Sequence, residues 1–282
     1  MPAATVDLEG YKGKRFMFTT RLLSGIVLVL VLFGLFFLGG PVLLFGMLAI
    51  SLGGMFELYR IRGMERSLPG GIAYICMCLY SLNLRVLFLP EAEFLFFGFL
   101  ILLLAVYVFR YPKYRFEDMA LVFFGYFYVG LMLACVYRLR ELEGGIYLVW
   151  LVLLCSWGCD TCAYCAGKLF GRHRMTPVLS PKKTIEGAVG GVIGAMLITA
   201  LYVWVFRSPL TLKPVEIAVL SGVSGAGALL SMVGDLAASA IKRNYDIKDY
   251  GRLIPGHGGI LDRFDSVIIT APVIYGLCYF VR

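Results

Sequence analysis

The sequence predicts an all-α polytopic integral membrane protein with about nine transmembrane helices, the N-terminus cytoplasmic and the C-terminus outside. Three observations predict it. Of 282 residues, 60% are hydrophobic and the mean hydropathy is +0.84, far above a soluble domain. The apolar residues fall into nine runs, each near the length that spans or partly spans a bilayer. The basic residues are sorted to one side of those runs: counting the N-terminus as the first connection, odd connections hold 20 of the 26 Lys and Arg and even ones hold 6. Basic loops stay cytoplasmic, so both ends of the chain are oriented by that asymmetry. The net charge of +8 therefore reads as loop charge, not as a nucleic-acid surface.

A basic lead-in, residues 1–21, carries Lys12, Lys14, Arg15 and Arg21. The run at 22–38 is too long for a signal peptide and lacks a small-x-small cleavage site, so it reads as an uncleaved helix. Further runs lie at 41–59, 69–89, 94–109, 119–137, 145–167, 185–206, 215–241 and 265–281. Arg85 interrupts the third and the fourth is short. Two regions follow from the charge distribution: an N-terminal scaffold, 1–140, and a C-terminal catalytic region, 141–282, with cytoplasmic motif loops at 168–184 and 242–264. Glu57 is the exception in the first region; with Arg60 three residues on it reads as a helix-end pair.

The second region spends charge where charge is costly, which marks a functional site. Asp235, Ser239, Lys242 and Arg243 recur at i, i+4, i+7 and i+8, one helix face. Lys248 and Asp249 follow, then Pro255 with Gly251, Gly256, Gly258 and Gly259, which must form a tight loop. Such a loop brings amides close to phosphate oxygens. Asp262 and Asp265 open the last helix with Arg263 between them. Carboxylates beside cations and a glycine loop point to a hard divalent cation with a phosphorylated ligand. His257, set among those glycines, reads as either a turn residue or a ligand.

A second cluster precedes it. Asp160, Tyr164 and Lys168 share a face; Gly167 to Arg172 lead into a basic loop; Ser180-Pro181-Lys182-Lys183-Thr184-Ile185-Glu186-Gly187 re-enters the membrane. Thr184 or Ser180 can cap the next helix, whose N-terminus beside two lysines suits a triphosphate, though an ordinary positive-inside loop reads equally well. Cys155, Cys159, Cys162 and Cys165 resemble a metal run but sit in a helical, apolar segment, where they read as packing residues. Gly187, Gly190, Gly191 and Gly194 form overlapping Gly-x-x-x-Gly pairs for close helix packing, within the chain or at a homodimer seam.

Ser239-x-x-Lys242-Arg243, Lys248-Asp249, Pro255-Gly256-His257-Gly258-Gly259 and Asp262-Arg263-x-Asp265 resemble the signature of the phosphatidate cytidylyltransferases, the CDP-diacylglycerol synthases. Asp160-x-x-Ala163-Tyr164, Gly167-Lys168-x-x-Gly171 and Ser180 to Gly187 are similar to a second block of that family, from which Cys159, Cys162 and Cys165 depart. The resemblance is strong over 155–270; the first half resembles the family only in hydropathy, its basic start and length. It implies transfer of CMP from CTP to phosphatidate at the cytoplasmic face of an inner (plasma) membrane. Mg²⁺ or another hard divalent cation would sit on Asp235, Asp262 and Asp265; an accessory monovalent cation is left open. Lys182, Lys183, Lys242, Arg243 and Arg263 would hold phosphates, Ser239 a phosphate or metal-bound water, and Asp160 a cation or the cytosine. Lys168, Ser180, His257 and Gly258 complete the nucleotide-binding set. The expected partners are CTP, phosphatidate and the bilayer, with no nucleic acid. The alternatives are a CTP-dependent kinase of a lipid alcohol and an ion or solute transporter, the latter lacking an inverted repeat.

Overall fold

The computed structural model describes the backbone of residues 8–210 and 213–281, and side chains within 19–210 and 213–280. Lys12, Lys14 and Arg15 of the basic lead-in and the terminal Arg282 have side chains outside the described residues. The described chain is overwhelmingly helical. The helical rods are α1 (Leu8–Leu38), α2 (Gly40–Arg60), α3 (Leu68–Val86), α4 (Glu93–Phe109), α5 (Phe116–Arg140), α6 (Gly145–Phe170), α7 (Ile185–Val205), α8 (Pro214–Asn244) and α9 (Leu261–Val281). Six of them, α1, α2 and α5 to α8, are long and apolar enough to cross a membrane; α4 is apolar but shorter. Each of α5 and α6 contains one π turn, at Tyr126–Leu131 and Leu154–Gly158.

One feature departs from the all-helical expectation. The basic loop after α6 folds as an antiparallel hairpin of β1 (Arg174–Thr176) and β2 (Ser180–Thr184), pairing Arg174 with Thr184 and Thr176 with Ser180. A charged five-residue strand has no apolar alternation to betray it in the sequence. The hairpin delivers Lys182 and Lys183 directly to the start of α7.

Local chemistry sets the helix ends. The Ser67 hydroxyl accepts from the Gly70 amide at 3.2 Å to start α3, and Thr184 accepts from Gly187 at 3.1 Å to start α7, so of the two candidate caps Thr184 is the one used. The final helix begins four residues before the predicted apolar run, because carboxylates accept its first amides, as described below.

The main core is continuous across both halves, from Leu32 and Met55 through Tyr126 and Val152 to Ile268. The last turns of α5 pack on α9, and α6 to α9 pack on one another. A smaller cluster of Cys159, Ala195, Ala228 and Met232 joins α6, α7 and α8. The glycine stripe of α7 is used inside the chain. A Cβ on Gly187 would lie 2.8 Å from the Ala163 carbonyl, one on Gly191 2.9 Å from the Ala163 methyl, and one on Gly194 would meet Cys162. The cysteines of α6 are thus packing partners, and all eight cysteines are free thiols. Large apolar side chains along α1, α4 and α7 are exposed, as suits rods surrounded by hydrocarbon.

Gly187→Ala should destabilise the protein by about 1–3 kcal/mol through overpacking. Gly222→Ala, where nothing lies within 4 Å, should not, since alanine is the better helix former. Thermal unfolding of both variants in the same detergent checks the pair.

Candidate active site

The site forms where α6, the hairpin, α7, α8 and α9 converge on one side of the molecule. A cavity of about 520 Å³ opens between α6, α7 and α8. Asp160 and Lys168 reach it from α6, Ser180, Lys182 and Lys183 from β2, and Asp235 from α8. Asp235 of the one sequence cluster therefore enters the space that the other cluster builds. Lys183 and Asp235 form an ion pair across it, each side chain a quarter exposed. Tyr164 and Met232 line the same walls, giving one apolar flank and one charged flank, the usual composition of a ligand site.

The basic hairpin is fixed by Glu186 in the first turn of α7. Its carboxylate accepts from the Arg172 amide at 3.0 Å and the His173 amide at 3.2 Å, and lies 2.6 Å from Nδ1 of His173. In the sequence Glu186 reads only as a motif member; its contacts make it the tie that holds the lysines over the cavity.

The acidic cluster spans three helices. Asp160, Asp235 and Asp265 lie within electrostatic reach of one another. Asp265 is buried, and its Oδ1 accepts from the Ser266 amide at 2.8 Å. Gly234 lets α8 close on α9 there: a Cβ would meet the Asp265 carbonyl at 2.8 Å. Asp262 is largely engaged by other groups. Lys242 Nζ lies 2.9 Å from its Oδ1, and its Oδ2 accepts from the amides of Tyr250 at 2.8 Å and Gly259 at 3.0 Å. Among the described residues no three His, Cys, Asp or Glu side chains converge as a ready metal cage. A carboxylate offers about four lone-pair sites, so Asp262 retains one, while Asp235 and Asp265 have more acceptor capacity open. Ser239 lies half-buried on α8 between Asp235 and Lys242, and Arg243 is exposed at the end of that helix.

The glycine loop closes as a tight turn. The Ile254 amide donates to the Gly258 carbonyl at 2.9 Å, and the His257 amide to the Ile254 carbonyl at 2.9 Å. Gly256 and Gly258 hold φ of 76° and 87°, a region other residues enter only under strain. Several amides in and beside it are already used, however. Gly259 and Tyr250 donate to Asp262, as above, and the next two donate to a residue from the other half of the chain. Glu57, 5% exposed on α2, accepts from Ile260 at 3.0 Å and Leu261 at 2.9 Å. Glu57 also packs on Gly251 and Gly259 so closely that neither has room for a Cβ. Arg60 Nη2 donates to the Tyr250 carbonyl at 2.7 Å. Glu57 and Arg60 are therefore not a pair with each other; both clamp the motif loop. A charged residue near the end of an apolar run carries no sign of a partner 200 residues away, and the only available signal was the buried carboxylate itself.

His257 points away from the carboxylates. Its Nδ1 lies 2.8 Å from the Ser24 hydroxyl of α1, and that hydroxyl is 2.9 Å from the Pro255 carbonyl. Burial, with Arg263 and Arg21 nearby, pulls the imidazole below its ordinary value of 6.5. Arg263 donates nothing through Nε, which is buried without a partner among the described residues, while its carbonyl accepts from Trp157 Nε1 at 3.3 Å.

Comparison with known proteins decides what family this arrangement serves. The model of the cytidylyltransferase family matches residues 19–281. The chain belongs to the cytidylyltransferase family. It is 30% identical over 268 residues to a phosphatidate cytidylyltransferase of Bacillus subtilis (strain 168), covering 91% of this chain and 96% of that protein. It is 31% identical over 261 residues to a phosphatidate cytidylyltransferase of Staphylococcus aureus (strain COL), covering 90% and 96%. The resemblance carried by the motifs thus extends over the N-terminal half as well, where this chain holds Glu57, Arg60 and Ser24 against its glycine loop.

Two outcomes follow from these contacts. Glu57→Ala strands two amides at the head of α9 and should cost about 2–4 kcal/mol. Glu57→Gln keeps one acceptor oxygen and should cost less; thermal unfolding ranks the two. Because His257 is held below 6.5, folding favours its neutral form. That contribution is present above pH 6.5 and is lost as pH falls through the lowered value. Unfolding midpoints measured from pH 7.5 to 5 should therefore fall less steeply in His257→Asn than in wild type.

Proposed function

We propose that the protein transfers CMP from CTP to phosphatidate, forming CDP-diacylglycerol and pyrophosphate. The observation that carries this reading is the cavity in which Lys168, Lys182 and Lys183 face Asp160 and Asp235. A triphosphate needs that cation density, and the carboxylates opposite provide for a hard divalent cation, Mg²⁺ first. Family membership supports CTP as the nucleotide, and the relatives' names support phosphatidate as the acceptor.

In this mechanism an oxygen of the lipid phosphate attacks the α-phosphorus of CTP in line. The bond from the α-phosphorus to the bridging α–β oxygen breaks, and pyrophosphate leaves with the electron pair. The phosphate is already ionised, so no side-chain nucleophile is needed. Lys182, Lys183 and Lys168 neutralise the triphosphate, and the Lys183–Asp235 pair fixes that ammonium's position. Asp235 and Asp265 have the acceptor capacity to hold Mg²⁺, with Asp262 as third ligand through its remaining lone pair. When bound, the ion supplies charge stabilisation at the phosphate oxygens. Lys242 orients Asp262, and Arg263 and Arg243 carry the remaining positive charge toward the acceptor lipid. An accessory monovalent cation remains part of the proposal.

The basic-loop count supports nine spans, a cytoplasmic N-terminus and cytoplasmic motif loops. That orientation brings a soluble nucleotide and a membrane lipid together at the inner membrane surface. Residues 1–140 act as scaffold in this reading, which leaves room for a homodimer at a seam other than the glycine stripe of α7.

CTP labelled separately at the α- and γ-phosphates, incubated with phosphatidate, Mg²⁺ and the protein in micelles, tests the reading. Entry of the α-label into lipid with the γ-label in pyrophosphate is expected. Transfer of the γ-label to a lipid alcohol would instead mean a kinase, and no transfer at all would turn attention to ion or solute flux. Lys183→Ala and Asp235→Asn should each lower kcat/KM about a hundredfold or more, and chelation of divalent cations should abolish turnover until Mg²⁺ is restored. Asp262→Asn should stop transfer but also lower the unfolding temperature, because it removes the charge that Lys242 and two amides share.

A further inference from the structure

The cavity accounts for a nucleotide, not for a lipid, and the acceptor needs a path from the bilayer. The membrane-facing side of α1 carries one. A groove of about 660 Å³ runs beside α1, walled by Leu22, Ile26, Val29 and Leu30, with Arg21 and His257 at its head. The wall residues are exposed, so the groove opens to hydrocarbon. Its head is built into the motif loop. Gly256, in the left-handed region, leaves room for the Arg21 backbone: a Cβ there would sit 3.5 Å from the Arg21 Cα and 2.8 Å from its Cγ. Gly25 lies against the His257 ring, which a Cβ there would touch at an ordinary contact distance of 3.4 Å. The Ser24 hydroxyl pins that ring at 2.8 Å.

The charge at the head is positive and continues inward. Arg21 and Arg263 both lie within electrostatic reach of His257, and Arg263 also reaches Asp160 at the nucleotide cavity. The buried Nε of Arg263 has no acceptor among the described residues, a donor that an anion between groove and cavity would satisfy. Apolar walls below and guanidinium groups above match a lipid whose headgroup is a bare phosphomonoester.

We propose that this groove seats the acceptor lipid, with acyl chain along Leu22, Ile26, Val29 and Leu30 and phosphate between Arg21 and Arg263. The proposal rests on the reading of phosphatidate as acceptor. A neighbouring groove of about 420 Å³ on the other flank of α1, lined by Val27, Val31 and Leu253 among others, has apolar walls without a cation, so it has nothing to select an anionic headgroup.

The test uses the full chain in micelles and begins with CMP transfer by the wild type. A phosphatidate with a photoreactive diazirine in its acyl chain is then crosslinked and the adducts are mapped by mass spectrometry. Adducts at 22–30, displaced by unlabelled phosphatidate and not by phosphatidylcholine, are expected. Arg21→Gln should raise the KM for phosphatidate about tenfold, with the KM for CTP unchanged, as loss of one charge-assisted phosphate contact requires. Val29→Trp, which fills the groove, should do the same, and Val27→Trp, on the other flank, should not. Should Arg21→Gln fail to fold, Val29→Trp and the crosslinks decide. Adducts elsewhere, equal displacement by phosphatidylcholine, or an unchanged phosphatidate KM in Val29→Trp would overturn the groove while leaving CMP transfer intact. Specific adducts without any CMP transfer would keep the groove as a phosphomonoester-lipid site and remove the catalytic reading.

Discussion

The start of the last helix is held by two carboxylates. Glu57 from α2 accepts the amides of Ile260 and Leu261, and Asp262 takes those of Gly259 and Tyr250 while meeting Lys242. Unsatisfied amides in a setting without water are expensive, so these bonds decide where α9 begins. Where α9 begins decides where Asp265 stands. Through Tyr250, whose hydroxyl donates to the Ala238 carbonyl at 2.9 Å, the same clamp sets the end of α8, and so the distance between Asp235 and the rest of the acidic cluster.

Around that clamp the charges divide into those that hold the fold and those left for ligands. Glu57, Arg60, Glu186 and most of Asp262 are spent on backbone groups. Lys182, Lys168, Asp160 and Arg263 are not spent in this way. The division follows position more than burial: Glu57 and Asp262 are buried while Arg60 is exposed, yet all four meet the backbone of a motif loop, and Lys182, Lys168 and Asp160 line the cavity. Positive charge from the hairpin and negative charge from α6, α8 and α9 then meet across one space, where low dielectric strengthens each interaction with a phosphate or a cation.

Much of this was legible in the sequence. The apolar runs gave the rods because hydrocarbon length is a hard constraint. Asp160, Lys183 and Asp235 were legible as site residues because charge in such a chain has few bland explanations. What stayed hidden were relations between distant segments. Glu57 read as half of a local pair because Arg60 lies three residues away, and nothing local points to Ile260. His257 read as turn residue or ligand because the Ser24 hydroxyl that positions it is 233 residues away. The hairpin at 174–184 was hidden for a different reason: its strands are short and charged, and their pairing is set by Glu186 tying the loop to α7.

The π turn at Leu154–Gly158 has a consequence for how α6 can change. A π turn holds one residue more than the winding around it, which advances the phase of everything beyond it by roughly 100°. Asp160, Tyr164 and Lys168 share a face with one another, but not with the helical wheel that begins at Gly145. The quarter-turn of surplus chain therefore works as an angular offset between two halves of one rod. The first half is free to be indexed to the core, through Leu148, Leu151 and Val152, while the second is indexed to the cavity. A one-residue deletion among Leu154 to Gly158 would leave every side chain of the motif in place in the sequence and turn the whole motif away from the cavity.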